Sequence, residues 1–173
     1  MTPQIYKQMA GLEVVIEAPA WQAVEVEALV HQACAVALDH LGLAAEAADM
    51  TVLACDDARI ALLNGDFRDK PQPTNVLSWP AEERGADVAG GQPKPVHADP
   101  DGTLGLGDIA LAYETISREA GDAGKPFADH LTHLVVHGVL HLLGYDHQTE
   151  PDAVLMERLE VEILGKLGLD DPY

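Results

Sequence analysis

The sequence predicts an α+β fold, and three observations carry that prediction. Short alternating or continuously apolar runs recur along the chain (LEVVIEA at 12–18, MTVLAC at 50–55, NVLSW at 75–79 and a run over 106–113), each with the length and residue types of a strand. Between and after them lie segments whose apolar residues follow helical spacing. The 173 residues are 47% hydrophobic, which fits one ordinary domain able to bury a real core.

Taken in order, the strand at 12–18 is followed by an Ala-rich helical segment over 21–40 that ends near Gly42. After the strand at 50–55, Asp56 or Asp57 can cap a short helix, with Asn64-Gly65 as its terminator. The strand at 75–79 is closed by Pro80, and the strand over 106–113 leads into a helix at 114–120. Residues 81–104, rich in glycine and proline and without periodicity, predict a long mobile loop or insertion. From Pro126 the chain runs FADHLTHLVVHGVLHLL without a breaker until Gly144, which predicts one helix. Thr149 with Asp152 three residues on resembles a capping box for an amphipathic last helix. No repeat or linker divides the chain, so residues 1–173 are expected to form a single domain with a long loop insertion at about 81–104.

Twenty-nine acids against ten bases give a formal charge of −19, which opposes non-specific binding to any polyanion. No apolar run is long enough to span a bilayer, and the N-terminus lacks a basic region followed by an apolar stretch. The two cysteines, Cys34 and Cys55, sit in apolar surroundings and read as buried thiols, which suits a cytoplasmic location.

The chemistry concentrates in HGVLHLLGYDH, residues 137–147. His130, His133, His137 and His141 form one helical stripe. His137 and His141 lie a single turn apart, able to approach one ion at the 2.0 to 2.1 Å that zinc requires. Gly144 offers a residue able to turn the chain back, so that His147 arrives from another direction as a third ligand. Three protein ligands leave a position open, the mark of catalytic rather than structural zinc. Asp146 either holds a ligand imidazole in its tautomer or caps the next turn. His133 either lines the cleft or stays a polar edge residue, while His31, His40 and His97 read as surface positions.

The same spacing occurs in the metzincin proteases, H-E-x-x-H-x-x-G-x-x-H. Here Gly138 replaces the glutamate that serves those enzymes as general base, which makes a protease the runner-up. The stretch resembles the YbeY family of bacterial endoribonucleases much more closely, through H-G-x-L-H-L-x-G-Y-D-H, which residues 137–147 match at every fixed position. LNGDFRDKPQPTNVLSWP (63–80) is similar to a further block of that family, and LGDIAL (106–111) to one of its strands.

The resemblance implies a small, mostly four-stranded mixed sheet packed with helices, with the zincin-like metal helix flanking a cleft. It implies a metal-dependent, single-strand-directed endoribonuclease acting in 16S rRNA 3′ end maturation and ribosome quality control, with the ribosome or its small subunit as partner and no membrane. His137, His141 and His147 are the implied ligands of one Zn2+ or another divalent ion. Arg68 matches the family's functional arginine, and a guanidinium can grip a phosphate bidentately. Arg59, Arg68 and Lys70 are expected to form a small positive mouth in an otherwise acidic protein. The nucleophile, water or the RNA 2′-hydroxyl, is open at this point. A third possibility is a zinc-containing ribosome assembly factor without chemistry of its own.

Overall fold

The computed structural model of the chain describes residues 8–173. The N-terminal segment read above for a leader therefore lies, up to residue 7, outside the described residues. The elements follow in the order β1 (Leu12–Ile16), α1 (Val26–His40), β2 (Ala48–Cys55), α2 (Asp57–Arg68), β3 (Val76–Pro80), β4 (Leu104–Ala112), α3 (Tyr113–Ala123), α4 (Phe127–Leu142) and α5 (Glu150–Lys166). One mixed sheet has the order β1-β2-β4-β3. β1 and β4 flank β2 in parallel, and β3 runs antiparallel to β4 along the edge.

Alternation along the two central strands divides the core. Met50, Val52 and Ala54 of β2, with Ile109 and Leu111 of β4, enter the large cluster shared with α1, α4 and α5. Cys55, Ala110 and Ala112 point the other way, into a smaller cluster with Ile60 of α2 and Leu77 of β3. Successive strand residues face opposite sides, so short apolar runs serve both layers. α4 is buried along most of its length, from Leu131 to Leu142, which explains its nearly unbroken apolar sequence. Cys34 and Cys55 are free and buried, and burial pushes both thiols up to about 12.

Three features differ from the sequence-based expectation. Trp21 does not belong to α1 but to a short 3-10 turn over Pro19–Ala23. It is fully buried there, donates its indole N–H to the Cys55 carbonyl at 2.8 Å, and packs edge-on against Tyr113 and Phe127. His31 is buried rather than on the surface, and its Nδ1 accepts from the Met9 amide at 3.0 Å.

The third difference positions the site. Asn64-Gly65 does not stop α2; the helix runs on to Arg68 and ends at Asp69 in a left-handed conformation, φ 55°. Asn64 is buried and donates to the Gln72 carbonyl at 3.0 Å, and a Cβ on Gly65 would lie 3.3 Å from the Pro71 ring. A glycine inside a helix costs about 1 kcal/mol, but here it lets the following segment fold back onto the helix. The extra turn carries Phe67 and Arg68.

Residues between β3 and β4 form neither helix nor strand, as expected, yet they are tied down. Arg84 is buried and its guanidinium donates to the carbonyls of Leu142 and Gly105, both at 3.0 Å. The Gly90 amide donates to Asp152 at 2.8 Å, beside the Thr149 cap of α5.

Candidate metal centre

The centre is built on the last turns of α4 and the reversal that follows. His137 and His141 share one face, with Nε2 atoms 3.0 Å apart. Gly144, at φ 100°, ends the helix, and a Cβ there would fall 2.4 Å from the Arg84 carbonyl oxygen. Both facts demand glycine. Beyond it the chain returns, bringing the His147 ring to 5.4 Å from that of His137 and 5.2 Å from that of His141. Ligand atoms of the three histidines all lie within 4.8 Å of one another.

The outer nitrogens decide the protonation. His137 Nδ1 donates to Glu160 at 2.6 Å and His141 Nδ1 donates to the Tyr145 carbonyl at 3.0 Å. Carboxylate and carbonyl only accept, so both Nδ1 atoms carry a proton, which leaves the two facing Nε2 atoms as the candidate ligand atoms. Their separation of 3.0 Å is close to the roughly 3.3 Å at which tetrahedral zinc sets its nitrogens. The donor set therefore fits a divalent ion with nitrogen affinity. Burial, reinforced by His137 and His147, holds His141 down at about 4, which keeps the ring neutral, the form a metal needs, over the physiological range.

Glu160 is the residue that sequence reasoning missed. It is fully buried on α5, where it also accepts from His133 Nε2 at 2.8 Å and from the Tyr173 hydroxyl. Burial pushes its carboxyl up, but hydrogen bonds from His133, His137 and Tyr173 outweigh that and bring it to about 2. It is thus a fixed anion behind a ligand, the arrangement that orients metal-bound histidines. A signal was present: Glu160 falls in the buried stripe of Met156, Leu159, Ile163 and Leu164, where an acid needs a reason.

The ligand face opens into a cleft of about 840 Å³ whose walls include Arg68, Trp79 and Arg84. A family model described as Endoribonuclease YbeY matches residues 15–168. The chain belongs to the YbeY family. A protein named Endoribonuclease YbeY from Ruegeria pomeroyi is 53% identical over 94% of this chain and 97% of its own length. One of the same name from Dinoroseobacter shibae is 54% identical over 100% of this chain and 97% of its own length. The solution structure of TM1509 from Thermotoga maritima shares the fold, with a TM-score of 0.53 at 20% identity over 93% of this chain and 97% of that one.

The remaining site residues of this YbeY-family chain are sorted by their contacts. Asp146 accepts from the backbone amide of His147 at 2.8 Å and so braces the turn, while the carboxylate that orients a ligand ring is Glu160. His133 stands behind the centre with Glu160 and Tyr173, and His130 is held by Glu119 of α3 at 2.9 Å. Arg68 is exposed on the cleft and makes no ion pair among the described residues. Arg59 instead pairs with Glu17 at 3.2 Å, and Lys70 is exposed but does not line the cleft, so of the expected positive mouth Arg68 lines it, beside the carbonyl-bound Arg84. Gly138 is packed against the sheet, with Ile109 3.0 Å and Ser78 3.3 Å from where a Cβ would stand. A larger side chain there would press on the Ile109 and Ser78 side chains.

Proposed function

We propose that this chain is a metal-dependent endoribonuclease directed at single-stranded RNA, acting in rRNA processing. The observation that carries the reading is the convergence of His137, His141 and His147 on one point of a cleft that also holds an unpaired arginine. Membership of a family described as Endoribonuclease YbeY supplies the substrate class. The finer reading is 16S rRNA 3′ end maturation and ribosome quality control, with Zn2+ as the ion. Among the described residues no helix is long and apolar enough to cross a membrane, and two buried free thiols suit the cytoplasm.

When bound, a divalent ion supplies a Lewis acid for a phosphodiester oxygen. The rest is the work of this chain's own residues. Glu160 and the Tyr145 carbonyl fix two imidazoles in the ligating tautomer, and Arg84 holds the carbonyl at the end of α4 so that the turn to His147 keeps its shape. Arg68 grips the phosphate and stabilises the charge that builds on it during cleavage. Gly138 brings no carboxylate to the position of a protease's general base, which argues against the peptidase reading. With a net charge of −19, affinity for free RNA is weak, and the ribosome or its small subunit delivers the substrate.

Purified protein is expected to cleave single-stranded RNA, to lose that activity on chelation and to regain it with Zn2+. Arg68→Ala is expected to lower kcat about 10²- to 10³-fold, the usual loss for one charge-stabilising donor, with metal content intact. Cleavage that survives complete chelation, or Arg68→Ala at the wild-type rate, would contradict the assignment.

A further inference from the structure

The cleft of an acidic nuclease needs a source of affinity other than charge. Its wall contains Arg68 and Arg84 against the acids Glu83, Asp146 and Asp152, and Arg84 is already committed to two backbone carbonyls. One free cation on the cleft wall among the described residues, in a chain of charge −19, cannot hold a polyanion by counterion release.

Aromatic side chains supply the alternative. Trp21, Tyr113 and Phe127 pack on one another at the large core cluster. Phe67 does not: it is 64% exposed, the most exposed phenylalanine or tryptophan side chain of the described residues. It stands on the last turn of α2 next to Arg68, edge-on to Trp79 with ring centroids 5.1 Å apart at 62°, and both rings line the cleft that holds the histidines. Leaving a phenylalanine in water forgoes about 1.5–3 kcal/mol of burial, so the core does not account for its position. Trp79 packs against the small cluster under α2 and braces it. The result is a supported aromatic face one residue from the arginine that meets phosphate.

We propose that Phe67, braced by Trp79, is a stacking platform for an unpaired RNA base, so that the substrate is gripped by one base on Phe67 and its neighbouring phosphate on Arg68. The proposal rests on the endoribonuclease reading. Base–aromatic stacking is sequence-tolerant and contributes about 1–3 kcal/mol per base, and it requires a base free of pairing. Preference for single strands follows from this geometry. Salt dependence is shallow, near the slope of about −0.7 in log K against log salt that one phosphate contact gives on single strands.

The test uses metal-loaded wild type, Phe67→Ala and Phe67→Tyr in single-turnover cleavage of a short single-stranded RNA, read as the protein concentration giving half-maximal rate. Phe67→Ala is expected to raise it about 5- to 150-fold, and Phe67→Tyr to return it to within about threefold of wild type. RNAs carrying one abasic position, scanned along the strand, locate the stacked base. At one position the wild type falls to the level of Phe67→Ala, and the variant loses nothing further. Unchanged half-saturation in Phe67→Ala, failure of tyrosine to rescue, or a loss equal at every abasic position overturns the proposal. So does a Phe67→Ala defect seen only in binding to ribosomal particles, which would make this face a protein-docking surface. Wild-type protein that cleaves no RNA would instead remove the endoribonuclease reading beneath it.

Discussion

His141→Ala is expected to lose the metal and the cleavage while keeping the fold. One of three ligands disappears, and a third of the about 10–16 kcal/mol typical of structural zinc sites corresponds to affinity lower by roughly two to four orders of magnitude. Competition with a chromophoric chelator measures this directly, and cleavage at fixed free metal should fall in parallel. The metal-free proteins should differ in their pH dependence. His141 sits at about 4 in the fold because burial disfavours its charged form, against an ordinary value of 6.5. Between those values the unfolded chain binds the proton and the folded one does not, so wild-type stability is complete above pH 6.5 and falls as the pH drops toward 4. The full loss approaches roughly 3 kcal/mol. Removing the imidazole removes that slope, so the melting temperatures of variant and wild type should converge or cross on acidification from 6.5 to 4. An equal slope in both proteins would mean that the buried ring is not neutral. Retained metal would mean that another group is the ligand.

Local signals in the sequence were followed wherever nothing distant opposed them. Thr149 caps α5 as its spacing with Asp152 indicated, accepting from the Asp152 amide. Gly144 turns the chain at positive φ as the three-histidine arrangement required. Asn64-Gly65 failed as a stop signal because the terminator itself is recruited into tertiary contacts, Asn64 with Gln72 and Gly65 with Pro71. Tertiary packing outweighed a propensity difference of about 1 kcal/mol, and with it came the placement of Phe67 and Arg68 over the cleft. Residues 81–103 carry no periodicity, yet a single buried guanidinium ties them to the end of the metal helix. Such a link joins positions 58 residues apart, and no window of sequence displays it. Asp146 was open between a carboxylate for a ligand ring and a cap for the turn, and its contact with the adjacent His147 amide matches the second.

Glu160→Gln should be the most informative substitution away from the ligands themselves. The carboxylate accepts from His137 on one oxygen and from His133 and Tyr173 on the other. An amide has one acceptor face. With its oxygen toward His137, the NH2 group meets two donors; flipped, it meets the His137 Nδ1 proton and drives it to Nε2, the atom that ligates. Either way metal affinity should fall about 10- to 100-fold, the usual effect of losing the partner of a ligating histidine. Stability should fall as well. The carboxyl is at about 2 in the fold, below an ordinary value near 4.5, which corresponds to roughly 3 kcal/mol that is present above pH 4.5 and lost as the pH falls to 2. At about 2–4 °C per kcal/mol for a chain of this size, metal-free Glu160→Gln should melt roughly 6–12 °C below wild type at neutral pH. That gap should close as the pH falls from 4.5 to 2. This window lies below the one expected for His141, so thermal melts across both separate the buried anion from the buried imidazole. Wild-type metal affinity and an unshifted melt in Glu160→Gln would show that the histidines hold their orientation without it.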